Sequence, residues 1–280
     1  VLGSFQAGLR CVALSPNDSD QQQAELIYRL NIQCVITDRQ CQRTTKVLVI
    51  ESLDSVQNLN DTLDRTRSQY SADGSHEESM FELADRSGLN SGAFAFQTSG
   101  SSGLPKSVVF DHRRVVGRIF SDFKPLGDRE VFCWKVGLGL VDSLWEMFAG
   151  LCHGHTLVIV SAMQDTDPEK LITTLQETGV TRYIFTPTLL RLLLTHDRQL
   201  PSKLANLSCW YIGGEPLPLD LVNDFLQVAP PQSHLINGYG ISEVWDVTAC
   251  KVEQDYTFGC VGRPWDNVDV YVLDGCLHVQ

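Results

Sequence analysis

The feature that most constrains the fold of this chain is a regular alternation of short apolar runs with amphipathic stretches of helical periodicity. The apolar runs have the length of buried strands, and the stretches between them have the length of helices. This alternation is typical of proteins in which helices cover both faces of a mainly parallel sheet. The sequence therefore predicts a doubly wound α/β fold. Strands are predicted at 11–14, 34–37, 47–50, 93–96, 107–110, 157–160, 183–185, 210–212, 234–237 and 268–273.

Capping residues mark the boundaries of the predicted helices. One helix is predicted to begin at Asp167-Pro168 and to end at Gly179, because proline suits the first turn and glycine suits the C-terminal cap. Another is predicted over 141–154, where Ser143 and Glu146 match the capping-box pattern. Further helices are predicted at 21–30, 186–194 and 221–226.

Two segments depart from this pattern. Residues 51–90 are polar and poor in aromatic side chains, so we predict a variable surface excursion within the core. Residues 260–280 follow the last predicted helix and are predicted to begin a β-rich addition. The chain starts at Val1 within an apolar pattern, so it is expected to be a fragment of a longer parent protein.

Composition argues against several classes of partner. The formal net charge is −12, which disfavours nucleic acid and anionic membranes as main partners. No run is long and apolar enough to predict a membrane-spanning helix. Nine scattered cysteines without a Cys-x-x-Cys pair favour reduced thiols and a cytoplasmic location. Cys152, His153 and His155 are possible metal ligands, but a turn at the end of a helix is the favoured interpretation.

A loop rich in glycine and hydroxyl side chains follows the predicted strand at 93–96. Glycines let backbone N–H groups approach an anion, hydroxyls add donors, and a lysine adds positive charge. The loop differs from the Walker pattern, because Pro105 precedes the lysine and 107–110 continues as a strand. We therefore predict a polyphosphate site in a strand-to-strand turn, with a plain Ser/Gly surface loop as the alternative. The loop consists of Thr98, Ser99, Gly100, Ser101, Ser102, Gly103, Leu104, Pro105 and Lys106.

Two further loops, 213–216 and 237–243, also follow predicted strands. Ligands of doubly wound sheets bind beyond the carboxyl ends of strands. In the second loop Tyr239 could stack on a base, Ser242 could contact a phosphate, and Glu243 could hold Mg²⁺. Taken alone, this loop is better explained as a turn into a helix. Together with the hydroxyl-rich loop, it predicts an ATP site.

These motifs resemble those of the adenylate-forming superfamily. Residues 96–106 are similar to its phosphate-binding loop, and 237–243 resemble its Asn-x-Tyr-Gly-x-Thr-Glu motif. Residues 5–16 and 262–274 are similar to an early and a late segment of the same family, and the order and spacing of the motifs agree outside 51–90. The resemblance is closest to the adenylation domains of nonribosomal peptide synthetases, and among them to Ebony-like β-alanyl-amine synthetases.

The resemblance implies a reaction in which a carboxylate attacks the α-phosphate of ATP with Mg²⁺ to give an acyl-adenylate. The acyl group would then pass to a phosphopantetheine thiol on a carrier domain of the parent protein, and from there to an amine. A small β-barrel subdomain would begin within 260–280. Lys106, Ser242 and Glu243 would be catalytic, with Glu243 also at the metal. The implied nucleotide-binding residues are Thr98, Ser99, Gly100, Ser101, Ser102, Gly103, Lys106, Gly214, Glu215, Pro216, Asn237, Tyr239 and Ser242.

The resemblance also indicates which acid is activated. In related domains the segment 140–146 usually reads Phe-Asp-x-Ser-x-Trp-Glu, and its aspartate binds the substrate α-amino group. Here Val141 takes that place and Asp142 follows, so a carboxylate displaced by one position suits an ammonium displaced by one carbon. β-Alanine is therefore the expected substrate, although Asp142 could instead be a helix-start residue favoured by the helix dipole. The implied substrate pocket comprises Val141, Asp142, Trp145, Ile212, Ile236 and Gly238.

Two other functions remain open: a free-standing acyl- or aryl-CoA ligase, and a non-catalytic nucleotide-binding relative. Ile241, where the family usually has proline, and the Phe-Asp-His sequence at 110–112 favour the second of these. The presence of Lys106 and Glu243 favours an enzyme. In the family a C-terminal lid would follow residue 280, so this chain alone is not expected to be fully active.

Overall fold

The computed structural model describes residues 10–14, 23, 34–37, 46–49, 88–98, 106–121, 126–160 and 167–279. The chain divides into two compact units, the larger centred on Ser87–Gln280 and the smaller on Leu14–Arg86. The strands are β1 (Cys11–Val12), β2 (Cys34–Thr37), β3 (Lys46–Val49), β4 (Gly92–Thr98), β5 (Lys106–Asp111), β6 (Val131–Trp134), β7 (Thr156–Ile159), β8 (Arg182–Phe185), β9 (Cys209–Ile212), β10 (His234–Ile241), β11 (Trp245–Lys251) and β12 (Arg263–Pro264). The helices are α1 (His112–Ile119), α2 (Asp142–Cys152), α3 (Pro168–Glu177), α4 (Pro187–His196), α5 (Leu200–Lys203) and α6 (Leu219–Val228).

In the smaller unit, β2 and β3 pair in parallel, as the βαβ pattern predicts. The helix predicted over 21–30 lies outside the described residues except at Gln23, which is helical. The surface excursion predicted over 51–90 also lies outside them, apart from its last three residues.

A seven-stranded sheet forms the centre of the larger unit, in the order β12-β11-β10-β9-β8-β6-β7. The strands from β7 to β10 in this order are parallel, and β11 and β12 add antiparallel to β10. The chain passes outward from β6 to β7 and then returns to β8 on the other side of β6. This reversal of direction is the doubly wound topology that the sequence predicts.

A second sheet of the larger unit has the order β1-β4-β5. Strands β4 and β5 are antiparallel, with Thr98 opposite Lys106. Strands β4 and β5, which flank residues 99–105, are therefore antiparallel neighbours. The residues 99–105 themselves lie outside the described part of the chain.

The core of the larger unit consists of two apolar clusters that receive alternate residues of the central strands. Trp210 and Ile212 of β9 belong to the first cluster, together with the buried faces of α3, α4 and α6. Cys209 and Tyr211 of the same strand belong to the second, together with α1, α2 and the aromatic residues of β4 and β5. Because side chains alternate along a strand, the clusters lie on opposite faces of the seven-stranded sheet.

Helices α3 and α4 begin at the capping residues that the sequence predicts. The Asp167 carboxylate accepts a hydrogen bond from the Lys170 N–H at 3.3 Å, and the Thr186 hydroxyl accepts one from the Leu189 N–H at 3.1 Å. The last residue of α2, Cys152, leads into His153, whose Nδ1 lies 2.7 Å from the Ala149 carbonyl oxygen. The predicted helix-end turn is therefore present here.

The capping box predicted for α2 is wrong. The Ser143 hydroxyl donates to the Leu140 carbonyl at 2.7 Å, and the helix starts at Asp142 without a side-chain cap. The Glu146 side chain instead accepts the N–H groups of Lys135 and Val136, at 3.0 and 2.9 Å. The buried carboxylate thus orders the segment before the helix rather than the helix terminus.

Two strand predictions near the C-terminal end also need correction. Strand β10 does not end at Asn237 but continues to Ile241, because it pairs with β11 over this length. Residues 268–273 form no regular strand in the described chain, where an isolated bridge joins Leu273 to Val279. The apolar side chains of Tyr271 and Val272 are 65% and 68% exposed, so no neighbouring layer covers them within the described residues. Among those residues, no helix is long and apolar enough to cross a membrane.

Candidate active site

Two of the predicted ligand loops lie side by side. Strands β9 and β10 are parallel neighbours, with Ile212 opposite Asn237. A Cβ atom on Gly213 would lie 3.7 Å from the carbonyl oxygen of Gly238, so the backbones that follow the two strands are in close contact. The loop 213–216 and the start of the motif 237–243 therefore share one end of the sheet, where ligands of doubly wound sheets bind.

The loop that follows β9 is held to α4 by a side chain. Gly214 has a φ of +83°, a conformation that glycine adopts without strain. The carboxylate of the next residue, Glu215, accepts hydrogen bonds from the Thr188 N–H at 3.2 Å and from the Thr188 hydroxyl at 2.6 Å. These contacts fix the loop while leaving Glu215 and Pro216 exposed.

Asn237 is 7% exposed, and its amide group is oriented by two contacts. Its Nδ2 donates to the Cys260 carbonyl at 3.0 Å and lies 3.2 Å from the Tyr256 hydroxyl. Because a carbonyl can only accept, the Cys260 contact identifies Nδ2, and a purine amino group would meet the acceptor Oδ1. Tyr239, two residues further along β10, presents a half-exposed ring.

The turn between β10 and β11 carries Ser242 and Glu243, and both are exposed. A β-bulge at Gly240 brings this backbone against β11, since a Cβ atom there would lie 2.0 Å from the Trp245 carbonyl oxygen. The Glu243 carbonyl accepts a hydrogen bond from Arg114 of α1 at 3.1 Å. The turn is thus anchored to the helix that directly follows β5, the strand beginning at the predicted phosphate-binding Lys106.

The two ends of the predicted phosphate-binding loop are themselves well defined. The Thr98 hydroxyl lies 3.5 Å from the Lys106 carbonyl oxygen, and Gln97 donates from Nε2 to the Ser107 hydroxyl at 2.8 Å. Lys106 is exposed at the start of β5. The structure therefore places the lysine beside the point where the loop leaves the sheet. Ser99, Gly100, Ser101, Ser102 and Gly103 lie outside the described residues.

Asp142 is the first residue of α2, with Val141 directly before it. Its Oδ1 accepts a hydrogen bond from the indole N–H of Trp245 at 3.3 Å. Burial, followed by the neighbouring Asp246 carboxylate, raises the pKa of Asp142 to about 6, against the opposing effect of Arg118. At neutral pH this carboxylate is therefore ionised but poorly solvated, and an ammonium group would stabilise it.

Next to Asp142, the side chain of Arg118 is surrounded by aromatic rings. The central carbon of its guanidinium group lies 4.3 Å from the ring centre of Trp265, 5.6 Å from Trp145, 5.9 Å from Trp245 and 6.0 Å from Tyr211. Interactions of a cation with aromatic faces are strongest where water is excluded, and are then worth about 2 kcal/mol. We call these four aromatic residues the aromatic cage.

An ion pair completes the surroundings of Arg118. Its Nε and Nη2 atoms lie 2.8 and 2.6 Å from Oδ2 of Asp246, and its Nη1 donates to the Ser121 carbonyl at 3.1 Å. The two side chains are 7% and 12% exposed. Asp246 follows Trp245 at the start of β11, so the pair links α1 to the same hairpin that carries Asn237 and Glu243.

The segment between β6 and α2 is fixed by Glu146. This carboxylate binds two backbone N–H groups of the segment, and its Oε1 lies 3.6 Å from Nζ of Lys135. Burial raises the pKa of Glu146, although Lys135 and the two N–H groups act in the opposite direction. The arrangement positions Val141 and Asp142 against the aromatic cage.

The structure brings most of the predicted substrate residues together. Trp145 and Ile236 are buried in the same cluster, and Val141 packs against it. Gly238 contacts Tyr211, because a Cβ atom there would lie 1.8 Å from the Tyr211 hydroxyl oxygen. Ile212, by contrast, belongs to the cluster on the other face of the sheet. On β9, Tyr211 rather than Ile212 therefore lies on the same face of the sheet as Trp145 and Ile236.

Sequence reasoning missed Arg118, Tyr211 and Asp246. A signal for Arg118 exists, since it lies three residues after Val115 on the buried face of α1, where a charged side chain needs a partner. No such signal distinguishes Tyr211 from Ile212, because all four residues of β9 are apolar and buried.

Glu243 is the candidate ligand for Mg²⁺ among these residues. Within the described part of the chain, no group of three or more His, Cys, Asp and Glu residues could hold a metal ion by itself. Mg²⁺ usually keeps several waters and is bound by one or two carboxylates together with substrate phosphates. The exposed carboxylate of Glu243 fits the role of a single protein ligand for Mg²⁺ that arrives with ATP.

Comparisons with known proteins show the family of this chain. The family model described as "AMP-binding enzyme" matches residues 1–278. A component of the mycosubtilin synthase of Bacillus subtilis is 32% identical over 216 residues, covering 73% of this chain and 8% of that protein. The beta-alanyl-bioamine nonribosomal peptide synthetase ebony of Drosophila melanogaster is 32% identical over 204 residues, covering 68% of this chain and 23% of that protein.

A solved structure shares the fold. The N-terminal subdomain of Klebsiella oxytoca NpsA, in complex with 3-hydroxyanthranilyl-AMSN, superposes with a TM-score of 0.76 and 18% identity, covering 99% of this chain and 66% of that one. The chain spans less than a quarter of each of the two curated relatives, at 8% and 23% of their lengths. The family model nevertheless covers almost the whole chain. The chain therefore belongs to the AMP-binding enzyme family, with adenylation domains of nonribosomal peptide synthetases among its relatives.

Proposed function

We propose that this chain activates an amino acid, β-alanine, by forming its acyl-adenylate from ATP. The observation that carries the proposal is the position of Asp142, whose partly buried carboxylate lies beside the aromatic cage. The hairpin that supplies Trp245 to this carboxylate also carries Asn237 and Glu243. One hairpin thus supplies both an amine-binding wall and a nucleotide-binding edge.

The nucleotide would bind at the end of β9 and β10. Tyr239 offers a half-exposed ring for the adenine, and Asn237 offers its Oδ1 to the adenine amino group. The loop 213–216 would cover the other side of the base. The phosphates would extend toward Thr98 to Lys106, where the lysine adds a charge that complements a polyphosphate.

In the proposed reaction, a carboxylate oxygen of the amino acid attacks the α-phosphorus of ATP. A bond forms between that oxygen and the phosphorus, and the bond to the β-phosphate oxygen breaks to release pyrophosphate. Lys106 would stabilise negative charge on the phosphates, and Ser242 would orient the α-phosphate or the attacking carboxylate. Mg²⁺, held by Glu243, would neutralise further phosphate charge.

Val141 and Asp142, rather than overall sequence similarity, support β-alanine as the acid. The two curated relatives are equally similar at 32% identity, and only one of them has β-alanine in its name. Val141 cannot pair with an ammonium group, whereas Asp142 presents a partly buried carboxylate one position later. An ammonium one carbon further from the carboxyl group, as in β-alanine, would satisfy that carboxylate.

The acyl group would pass to a phosphopantetheine thiol on a carrier domain outside this chain, and then to an amine. The name of the Drosophila relative, a nonribosomal peptide synthetase for a β-alanyl-bioamine, supports this later step. The scattered cysteines support a cytoplasmic setting.

Exchange of labelled pyrophosphate into ATP, measured on the full-length protein that carries this chain, tests the proposal. The acids would be β-alanine, glycine, α-alanine, propionate and benzoate. We expect exchange with β-alanine. Exchange with glycine or α-alanine alone would overturn the substrate, exchange with benzoate or propionate alone would favour a free-standing CoA ligase, and exchange with none would favour a non-catalytic relative.

An Asp142→Ala variant distinguishes binding of the amino acid from binding of ATP. We expect it to lose exchange with β-alanine while equilibrium binding of ATP is unchanged. Asp220→Ala is a matched control, because this aspartate is an exposed carboxylate in the first turn of α6, outside the cage. An equal loss of ATP binding in Asp142→Ala would contradict the assignment.

A further inference from the structure

Two ion pairs lie in the region of Asp142. Arg118 pairs with Asp246 at 2.6 Å, and both side chains are almost fully buried. Nζ of Lys135 lies 3.6 Å from Oε1 of Glu146, so this lysine also has an ion-pair partner. Asp142, in contrast, receives a hydrogen bond from the neutral indole of Trp245.

The ionic side chains of this region do not balance in charge. Arg118 and Lys135 carry two positive charges, and Asp142, Asp246 and Glu146 carry three negative charges when ionised. The net charge is one negative charge. Within the described residues, Asp142 is the carboxylate of this region that no arginine or lysine pairs with, and it is the one that a substrate must neutralise.

The aromatic cage keeps the Arg118 guanidinium paired with Asp246. Four rings surround the Arg118 guanidinium, and Ser121 accepts its third hydrogen bond, so it is held on Asp246 and away from Asp142. The cage includes a buried polar atom, Nε1 of Trp145, that has no hydrogen-bond partner among the described residues. Such groups are usually satisfied, so this atom also indicates a polar ligand in this region.

We propose that Arg118 is a specificity-determining residue, which neutralises Asp246 and so limits the acyl pocket to an acid with one amino group. The inference rests on the proposed adenylation of an amino acid and adds the reason for a single amine. Without Arg118 the pocket would present two carboxylates and would prefer two amines. Without the Asp246 carboxylate, Arg118 would neutralise Asp142 and the pocket would prefer an acid with no amine.

Three variants of the full-length protein test this charge balance by pyrophosphate exchange at pH 7.5, above the pKa of Asp142. Arg118→Met should raise the ratio of kcat/KM for 2,3-diaminopropionate over β-alanine by at least about tenfold. Asp246→Asn should raise the ratio for propionate over β-alanine by at least about tenfold. The double variant Arg118→Met with Asp246→Leu should restore the wild-type preference, because Asp142 is again the one unpaired carboxylate.

A surface pair of the same chemistry supplies the controls. Arg191 and Asp220 are 2.9 Å apart, with 43% and 66% of their side chains exposed. Arg191→Met and Asp220→Asn should leave the preference among the acids unchanged. Thermal unfolding of every variant shows whether it is folded, and the double variant remains informative if a single variant does not fold.

The outcomes separate this inference from the proposal beneath it. Opposite shifts in the two single variants, with restoration in the double variant, support the role of Arg118. Equal losses with all acids, or an unchanged preference in folded variants, would show a merely structural pair and would overturn it. A wild-type protein that exchanges with no acid would instead overturn adenylation, and one that exchanges only with acids lacking an amine would overturn the amine pocket. Either result would also contradict the proposed role of Arg118.

Discussion

The indole N–H of Trp245 donates a hydrogen bond to the carboxylate of Asp142 across 103 residues of sequence, at 3.3 Å. Trp245 has a φ of +67°, a conformation that is strained for a bulky aromatic residue. Its ring is held by stacking on Phe110, with ring centres 5.9 Å apart. The hairpin thus holds a strained residue in contact with the first residue of α2, and the wall of the proposed acyl pocket depends on both elements.

The first prediction concerns the pH dependence of amino-acid activation. Burial and the Asp246 carboxylate raise the pKa of Asp142 to about 6, and the ammonium of β-alanine needs this group ionised. In the free enzyme, kcat/KM for β-alanine should therefore fall about tenfold for each pH unit below 6. Pyrophosphate exchange measured from pH 5 to 9 checks this. In the residual exchange of Asp142→Asn, kcat/KM should no longer decrease below pH 6. A decrease that persists in this variant would belong to another titrating group.

The second prediction concerns stability and the same carboxyl group. Its pKa is raised in the folded state from an ordinary 3.8 to about 6, so the folded state binds the proton more tightly than the unfolded state. The free energy of unfolding should fall as pH rises between these values, by at most about 3 kcal/mol. Asp142→Asn should be more stable than the wild type above pH 6 and equal to it near pH 4. Urea unfolding at both pH values measures this, and equal stability at pH 7 would contradict the burial of the charge.

The third prediction concerns the contact between Gly238 and Tyr211. A Cβ atom at position 238 would lie 1.8 Å from the Tyr211 hydroxyl oxygen and 2.3 Å from the ring carbon that bears it. Gly238→Ala should therefore lower the free energy of unfolding by about 1–3 kcal/mol, and adding Tyr211→Leu should recover part of the loss. Chemical denaturation of the two variants measures both effects.

Gly213→Ala is the matched control for that contact. Its Cβ atom would lie 3.6 Å from Cε1 of Tyr211, an ordinary van der Waals distance. Its effect on stability should be below that of Gly238→Ala. Equal costs at the two positions would mean that loss of glycine freedom, rather than the contact with Tyr211, is being measured.

The fourth prediction concerns a buried ion pair that the candidate site does not use. Glu130 lies 3.2 Å from Arg182, which is fully buried, and also accepts a hydrogen bond from Thr181. Burial alone would raise the pKa of Glu130, but the contacts with Thr181, Gly127 and Arg182 lower it overall. Its stabilising effect is therefore present at neutral pH and is lost as pH falls through the lowered pKa.

Glu130→Gln should accordingly destabilise the protein by about 3–5 kcal/mol at pH 7, and by less in acid. Replacing both partners, as in Glu130→Leu with Arg182→Met, should cost less than the single change because no charge is left buried. Thermal unfolding at pH 7 and pH 4 gives both comparisons. A double variant that is less stable than Glu130→Gln would contradict this account.

Much of the fold follows from local pattern. The strands β8 and β9 and the helices α3 and α4 agree with their predictions, since apolar periodicity and capping residues are local properties. The ion pair between Arg118 and Asp246 joins residues 128 positions apart, and nothing in either local pattern specifies it.

Other differences arise where one pattern allows two structures. All four residues of β9 are apolar and buried, so alternation cannot tell which of Tyr211 and Ile212 faces the acyl pocket. The glycine-rich segment after Asn237 resembles a loop in composition, but pairing with β11 makes it part of a strand. Residues 268–273 have the composition of a strand yet pair with none in the described chain, because a strand also needs a neighbour.

The alternation along β10 has a consequence for how such a domain can change its substrate. Ile236 lies in the cluster that holds the aromatic cage and Gly238 packs against Tyr211, whereas Asn237 between them contacts Tyr256 and Cys260. The positions that we propose to face the acyl group and the nucleotide therefore alternate along the strand. A single-residue insertion or deletion in this strand would exchange the two sets, placing Asn237 toward the amino acid and its neighbours toward the nucleotide. New specificities at this strand can arise by substitution, while changes in its length abolish both sites at once.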